Sequence, residues 1–302
     1  MNSPIVKNKV DKFIDDYYLN TKTIELGESK YQELTIKGLM NKSKLIDKDI
    51  NLLIGTDLQN QILSSSLSAM KFKIPFLGVY SACAGFTEEL IIGCNLINKT
   101  DNNIILTTSS HNLVSEKQFR YPVEYGAVRK KVNSCTSTGS ISVLLSKNKS
   151  NIMVESSTIG CVYGIYNDTN NLGAAMAYSA CETIKKHMVD TNRNENYYDL
   201  VLTGDLGIYG TNILKECYYN KYKVKLDNII DSGSIYYNNK DVYAGASGPL
   251  CLPLILFDYI LPLKKYNKIL IVGTGSLHSL LSSNLKLNIP SISHAVSLEV
   301  TY

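Results

Sequence analysis

Tyr80-Ser-Ala-Cys-Ala-Gly-Phe86, continued by Thr87-Glu-Glu-Leu-Ile-Ile-Gly-Cys94, puts a cysteine where an extended run turns into a helix. The preceding Ile74-Pro-Phe-Leu-Gly-Val-Tyr80 is short, apolar and β-prone, as a buried strand should be. The residues after Gly85 carry apolar groups at helical spacing. Cys83 is therefore expected at a helix N-terminus, where unpaired N–H groups and the positive end of the dipole favour a thiolate or a bound anion. The competing reading is a packed, inert thiol, because cysteine is among the most buried residue types.

Outward from this stretch the chain alternates strands and helices. Tyr31 to Leu45 has helical spacing, Asp49 to Gly55 reads as a strand, Gln59 to Met70 as a helix and Asn103 to Ser109 as a further strand. The start, through about Glu28, reads as irregular. Thr138–Ser146 and Asn151–Ser157 read as two neighbouring strands. The rhythm then repeats: helix Leu172–Val189, strand Asp199–Thr203, helix Ile208–Tyr219, buried helix Gly248–Leu263, and strands Lys268–Val272 and Ala295–Val300. Such alternation is the pattern of α/β architecture with a largely parallel sheet. Two halves of similar length, 1–155 and 156–302, suggest an internal duplication packed as one body.

The 302 residues suffice for one large or two smaller domains with ample core. Net charge is +4 on 31 basic and 27 acidic residues, with no basic run long enough for a nucleic-acid stripe, so nucleic acid is excluded as a partner. Seven scattered cysteines without a C-x-x-C pair read as reduced intracellular thiols, neither a disulfide framework nor a zinc site. The most apolar segment, Gly248 to Leu263, carries Asp258 and two prolines and falls short of a membrane span. No cofactor motif is present.

Several segments together resemble the thiolase superfamily. Ser81-Ala-Cys-Ala-Gly-Phe86 is similar to the nucleophile segment of the ketoacyl synthase III enzymes, Gly245-Ala-Ser-Gly248 to the end of the thiolase glycine-histidine-proline motif, and Val272-Gly-Thr-Gly275 to its late glycine-rich turn. A narrower resemblance runs through Ser109-Ser-His111, Glu116-Lys-Gln-Phe-Arg-Tyr-Pro-Val-Glu-Tyr-Gly126, Leu202-Thr-Gly-Asp-Leu-Gly207, Ala244-Gly-Ala-Ser-Gly248 and Ile289-Pro-Ser-Ile-Ser-His-Ala-Val-Ser-Leu-Glu299. In that order they resemble the stage V sporulation protein AD family, from about residue 30 to the C-terminus. The resemblance implies duplicated thiolase-like halves in a layered α-β-α-β-α body. The first strand of that fold has no convincing counterpart here, so an edge of the first-half sheet is expected to be unpaired.

The same resemblance implies a soluble component of a dipicolinic acid uptake apparatus. That component would be intracellular, free or peripheral on the membrane of the developing spore. Its partners would be dipicolinic acid, alone or as its calcium chelate, membrane subunits of the apparatus, and a second copy of the chain. Condensing chemistry is not expected. Where thiolases carry a histidine and a second cysteine, this chain has Val242 and Ile271; where ketoacyl synthase III enzymes carry a histidine and an asparagine, it has Gly204-Asp205 and Gly245. None of these is an imidazole base. The leading expectation is thus a non-catalytic dipicolinate-binding protein; an acyltransferase using Cys83 and a structural docking subunit are the alternatives.

The expected binding residues are Cys83, His111, Lys117, Arg120, Arg129, Asp205 and Ser247. His111, Lys117 and Arg120 lie in a polar stretch beyond a strand's end, where open α/β folds place ligands. That stretch reads equally well as a loop held by ion pairs of Lys117 and Arg120 with Glu116 and Glu124. Arg120 offers a guanidinium fork to a carboxylate, with Lys117 and Arg129 as less geometric substitutes. Asp205, in the turn Thr203-Gly-Asp-Leu-Gly207, reads as a helix cap that also faces Cys83. His187 reads as a C-terminal cap, and His278 and His294 as locally hydrogen-bonded. The six remaining cysteines read as packing residues.

Overall fold

The computed structural model describes residues 4–97, 103–119, 130–237 and 243–302. After an irregular start, helix α1 (Ile24–Ser43) leads into strand β1 (Leu52–Thr56), helix α2 (Leu63–Ala69), strand β2 (Phe76–Gly78), helix α3 (Gly85–Leu96), strand β3 (Asn103–Ser110), helix α4 (Asn112–Phe119) and strands β4 (Cys135–Thr136) and β5 (Gly139–Ser146). The second half comprises β6 (Ile152–Ile159), α5 (Leu172–Asp190), β7 (Leu200–Thr203), α6 (Gly207–Tyr222), β8 (Ile229–Asp231), α7 (Ser232–Ile235), β9 (Ala246–Ser247), α8 (Cys251–Ile255), β10 (Lys268–Ser276), α9 (Leu280–Asn284) and β11 (Ser291–Val300).

Two sheets carry the duplication. The first runs β2-β1-β3-β5 and the second β8-β7-β10-β11-β6. In each, three strands are parallel and a long antiparallel strand follows, β5 on β3 and β11 on β10. The second sheet adds β6, antiparallel to β11. No described strand takes the matching place beside β5, so that edge is open, as expected. The halves also exchange a two-stranded ribbon, in which β4 of the first pairs with β9 of the second.

Three apolar clusters define the layers. Phe86, Leu90 and Ile91 of α3 pack with Leu252, Ile255 and Ile260 of the α8 segment between the two sheets. Ile36 and Met40 of α1 cover the outer face of the first sheet, against Leu53 and Ile105. Ala177, Cys181 and Ile184 of α5 with Leu214 and Tyr218 of α6 cover the outer face of the second, against Val201 and Leu270. Helix, sheet, helix pair, sheet and helix make a five-layer α/β body, which burying each element's apolar face requires.

Four sequence expectations are corrected. Helix α1 begins at Ile24 rather than Tyr31, because the Thr23 hydroxyl accepts the Leu26 N–H and caps it. The polar stretch after β3 contains helix α4 rather than irregular chain alone. Strands β5 and β6 are not neighbours. They enter different sheets, so residues 152–155 side with the second half. The apolar run Gly248–Leu263 is helical but irregular. Helix α8 passes into a π turn at Leu256–Ile260 and a 3-10 turn at Leu261–Leu263, where Pro262 has no N–H to continue an α-helix.

Candidate functional site

Cys83 sits in a tight turn between β2 and α3. The Ala84 N–H donates to the Ser81 carbonyl at 3.0 Å and the Gly85 N–H to that of Ala82 at 3.1 Å. Ala82 takes a left-handed conformation with φ of 49°, which for an L-residue costs roughly 1–2 kcal/mol. The turn is pressed against the end of β10. A Cβ on Gly275 would run into the Ser81 carbonyl, one on Gly273 into Thr87, and one on Gly85 into Thr56. Gly273 and Gly275 let the second half approach the cysteine turn closely, and Gly85 lets α3 start against β1. Two N–H groups expected to serve an anion, those of Ala84 and Gly85, are already spent within the turn.

The second half meets Cys83 with a carboxylate. Asp205, at the end of β7, is 2% exposed. Its Oδ1 accepts the Thr274 hydroxyl at 2.8 Å and its Oδ2 the Gly248 N–H at 3.1 Å, while its own N–H donates to Thr274 Oγ1 at 3.1 Å. Asp231, at the end of β8, holds this turn. It accepts from the Thr203 hydroxyl at 2.7 Å and from the N–H groups of Leu206, Gly207 and Ser234 at 2.9 Å each. One side chain therefore ties the start of α6 and the start of α7 together.

The Cys83 thiol stands beside the Asp205 carboxylate and the Gly248 N–H. Burial and then the Asp205 carboxylate push the thiol well above its ordinary value, with the Gly248 N–H acting in the opposite direction. Burial raises Asp205 to about 6, moderated by the bonds from Cys83 and Thr274. Both environments work against moving a proton from the sulfur to the carboxylate, and so against a thiolate at this position.

The other expected residues fall in different places. Ser247 lies in β9 beside Gly248, and its carbonyl accepts the Ser137 N–H at 2.8 Å. His111 is buried, with its Nε2 at 3.2 Å from the Tyr17 carbonyl and its ring edge-on to Tyr17 at 5.4 Å. Burial lowers its pKa, the Tyr17 contact partly opposing this. His111 is thus a packed residue between Tyr17 and Tyr31. Lys117 pairs with Glu25 of α1 at 2.7 Å on the surface. Its ion pair is thus with a helix remote in sequence. Arg120, Arg129 and Glu124 lie outside the described residues.

Two minor expectations also change. His187 is buried rather than a solvated cap, with Nδ1 at 2.9 Å from the Thr158 hydroxyl and Nε2 at 2.7 Å from that of Tyr198. Cys161 is exposed rather than packed. His294 and His278 are locally bonded as expected, His294 accepting the Gly160 N–H at 3.3 Å and His278 bonding backbone groups of Phe119 and Ser276. Sequence reading missed Gly248 as a donor, and Thr274 and Asp231 as the supports of Asp205. Asp231-Ser-Gly-Ser234 is a recognisable helix-cap pattern, but its hold on the Asp205 turn depends on β7 and β8 being neighbours.

Among the described residues no helix is long and apolar enough to cross a membrane. The family model for stage V sporulation protein AD matches residues 2–299. The chain is 35% identical over 295 residues to stage V sporulation protein AD of Bacillus subtilis strain 168, covering 96% of this chain and 87% of that protein. In solved structures it is similar to 3-oxoacyl-[acyl-carrier-protein] synthase III from Aquifex aeolicus VF5, with TM-score 0.56, 14% identity and coverage of 89% and 83%. It is also similar to cerulenin-bound OleA of Xanthomonas campestris, with TM-score 0.60, 14% identity and coverage of 89% and 81%. At such identities these structures establish a thiolase-like fold alone.

Proposed function

The chain belongs to the stage V sporulation protein AD family, and from that premise we propose that it serves sporulation as a non-catalytic binding protein, with dipicolinic acid as the ligand it passes toward the developing spore. The observation that carries the non-catalytic reading is the Cys83–Asp205 pair. A thiolase-type reaction needs a thiolate and neutral donors for an oxyanion. Here a buried carboxylate stands at the sulfur, stabilising the thiol and repelling a developing negative charge.

Dipicolinate is a flat aromatic dianion, and Asp205's partners among the described residues are a hydroxyl, a thiol and a backbone N–H, none of them cationic. A dianion beside this carboxylate needs compensation. Asp205 supplies it by taking up a proton, its pKa of about 6 being within easy reach of neutrality, or the ligand brings calcium as its chelate. Arg120, with Arg129 as its substitute, supplies the cation from the protein. Membrane subunits of the same apparatus are the proposed recipients, with the chain acting at the membrane surface of the developing spore.

Calorimetric titration with dipicolinate at pH 5.5 and 7.5, with and without calcium, tests the reading. Binding should be tighter at the lower pH or with calcium, and Arg120→Ala should weaken it at least tenfold, in line with about 1.5–3 kcal/mol for a charge-assisted contact. No heat under any of these conditions removes dipicolinate as the ligand. Incubation with acyl-coenzyme A followed by intact mass tests catalysis separately: an acyl adduct on Cys83 that turns over would establish the acyltransferase reading instead.

A further inference from the structure

Away from the Cys83 site, two free cysteines face each other across the outer helical layer of the second half. Cys181 of α5 is buried, Cys217 of α6 is partly exposed, and their sulfurs are 3.2 Å apart. The helices meet closely near their N-terminal ends, where a Cβ on Gly210 would strike the Gly173 backbone and one on Gly173 the Leu206 carbonyl. A disulfide needs the sulfurs to close to about 2.05 Å, an approach of about one ångström from where they stand. The other five cysteines have no such partner: the structure records no second sulfur in hydrogen-bond contact with any of them among the described residues.

We propose that Cys181 and Cys217 form a redox modification site, closing to a disulfide that staples α5 to α6 when the protein meets a low-molecular-weight disulfide such as oxidised glutathione. The Cys217 thiol, the more accessible of the two, loses its proton to solvent and attacks the small disulfide, releasing one small thiolate and leaving a mixed disulfide. The Cys181 thiol loses its proton in turn and attacks the Cys217 sulfur, releasing the second small thiolate. Two protein thiols are oxidised, one small disulfide is reduced to two thiols, and the released thiolates take up the two protons. Burial holds the Cys181 thiol well above its ordinary value, so the second step is the slow one. The closed bond links positions 36 apart in sequence and ties α6, which begins two residues after Asp205, to its neighbour.

The full chain is incubated with oxidised glutathione, and intact mass, free-thiol count and peptide mapping are read, with a Cys161→Ser variant removing the exposed competitor. The expected product has lost two hydrogen masses and two free thiols, maps to a Cys181–Cys217 linked peptide, and has a raised thermal midpoint that a reductant reverses. Cys217→Ser should abolish all of these changes. A linked peptide at other cysteines, a lasting glutathione adduct on Cys217 without closure, or retention of all six thiols in Cys161→Ser would each overturn the proposal.

Discussion

Asp205→Asn should wake the Cys83 thiol. The substitution keeps the size of the side chain and an oxygen acceptor for Thr274 or Gly248, but removes the charge that faces the sulfur. For unit charges in hydrogen-bond contact, about 4 Å apart at an effective dielectric of about 20, Coulomb's law gives about 4 kcal/mol. That is about 3 pKa units off the thiol. Nucleophilicity falls as thiol pKa falls, with a Brønsted slope of about 0.4–0.5, so the observed gain is about 1.6 log units, or roughly 40-fold. The assay is iodoacetamide labelling of Cys83 at pH 7.5, followed by peptide mass spectrometry against the exposed Cys161 as internal reference. Because Asp205 titrates near 6, the gap between parent and variant should shrink at pH 5, where the parent has lost the same charge. Equal rates for the two proteins at pH 7.5, or a slower variant, would refute the assignment of Asp205 as the group that keeps the thiol neutral.

Gly275→Ala forces a methyl into the Ser81 carbonyl; overpacking of this kind should cost about 1–3 kcal/mol, read in urea unfolding, and should speed Cys83 labelling as the turn is displaced. Glu28 is 1% exposed and raised to about 8 by burial and by the Asp57 charge, against bonds from Gln59 and Ser109. A raised carboxylate favours the folded state below the unfolded value and loses that contribution as pH rises through about 8. The thermal midpoint should therefore fall between pH 5 and 8.5, and Glu28→Gln should flatten the fall. Glu155 is the opposite case: burial pushes it up, but Lys268, Ser297, Tyr197 and Arg193 draw it down to about 2. Its contribution is present above the unfolded value and lost as pH falls toward 2, so Glu155→Gln should lower the midpoint at pH 7 and leave it nearly unchanged at pH 2.

What could be read without coordinates was whatever local pattern carries. The apolar run into Cys83, the helical spacing after it and the repeat of that rhythm sufficed for an α/β class and a duplication, because strand and helix periods follow from which face each element buries. The edge of the first sheet at β5, where no described strand pairs, was legible too, because no sequence segment matched the strand that would cover it. Pairing across long separations was not. Asn151–Ser157 carries the same strand pattern whether it lies beside β5 or β11, and only the packed sheets place it on β11. Asp205 was expected to cap a helix and to face Cys83, but how it is held there, by Thr274, Asp231 and Gly248, follows only from β7, β8 and β10 standing side by side. His111 and Lys117 were picked by their nearness to a strand end; that Tyr17 and Glu25 of α1, distant in sequence, stand against them was not legible. Sequence by itself determined the scaffold and the position of its cysteine. Tertiary structure decided how the carboxylate facing that cysteine is held, because the surroundings of this thiol are set by side chains brought from the other half of the chain.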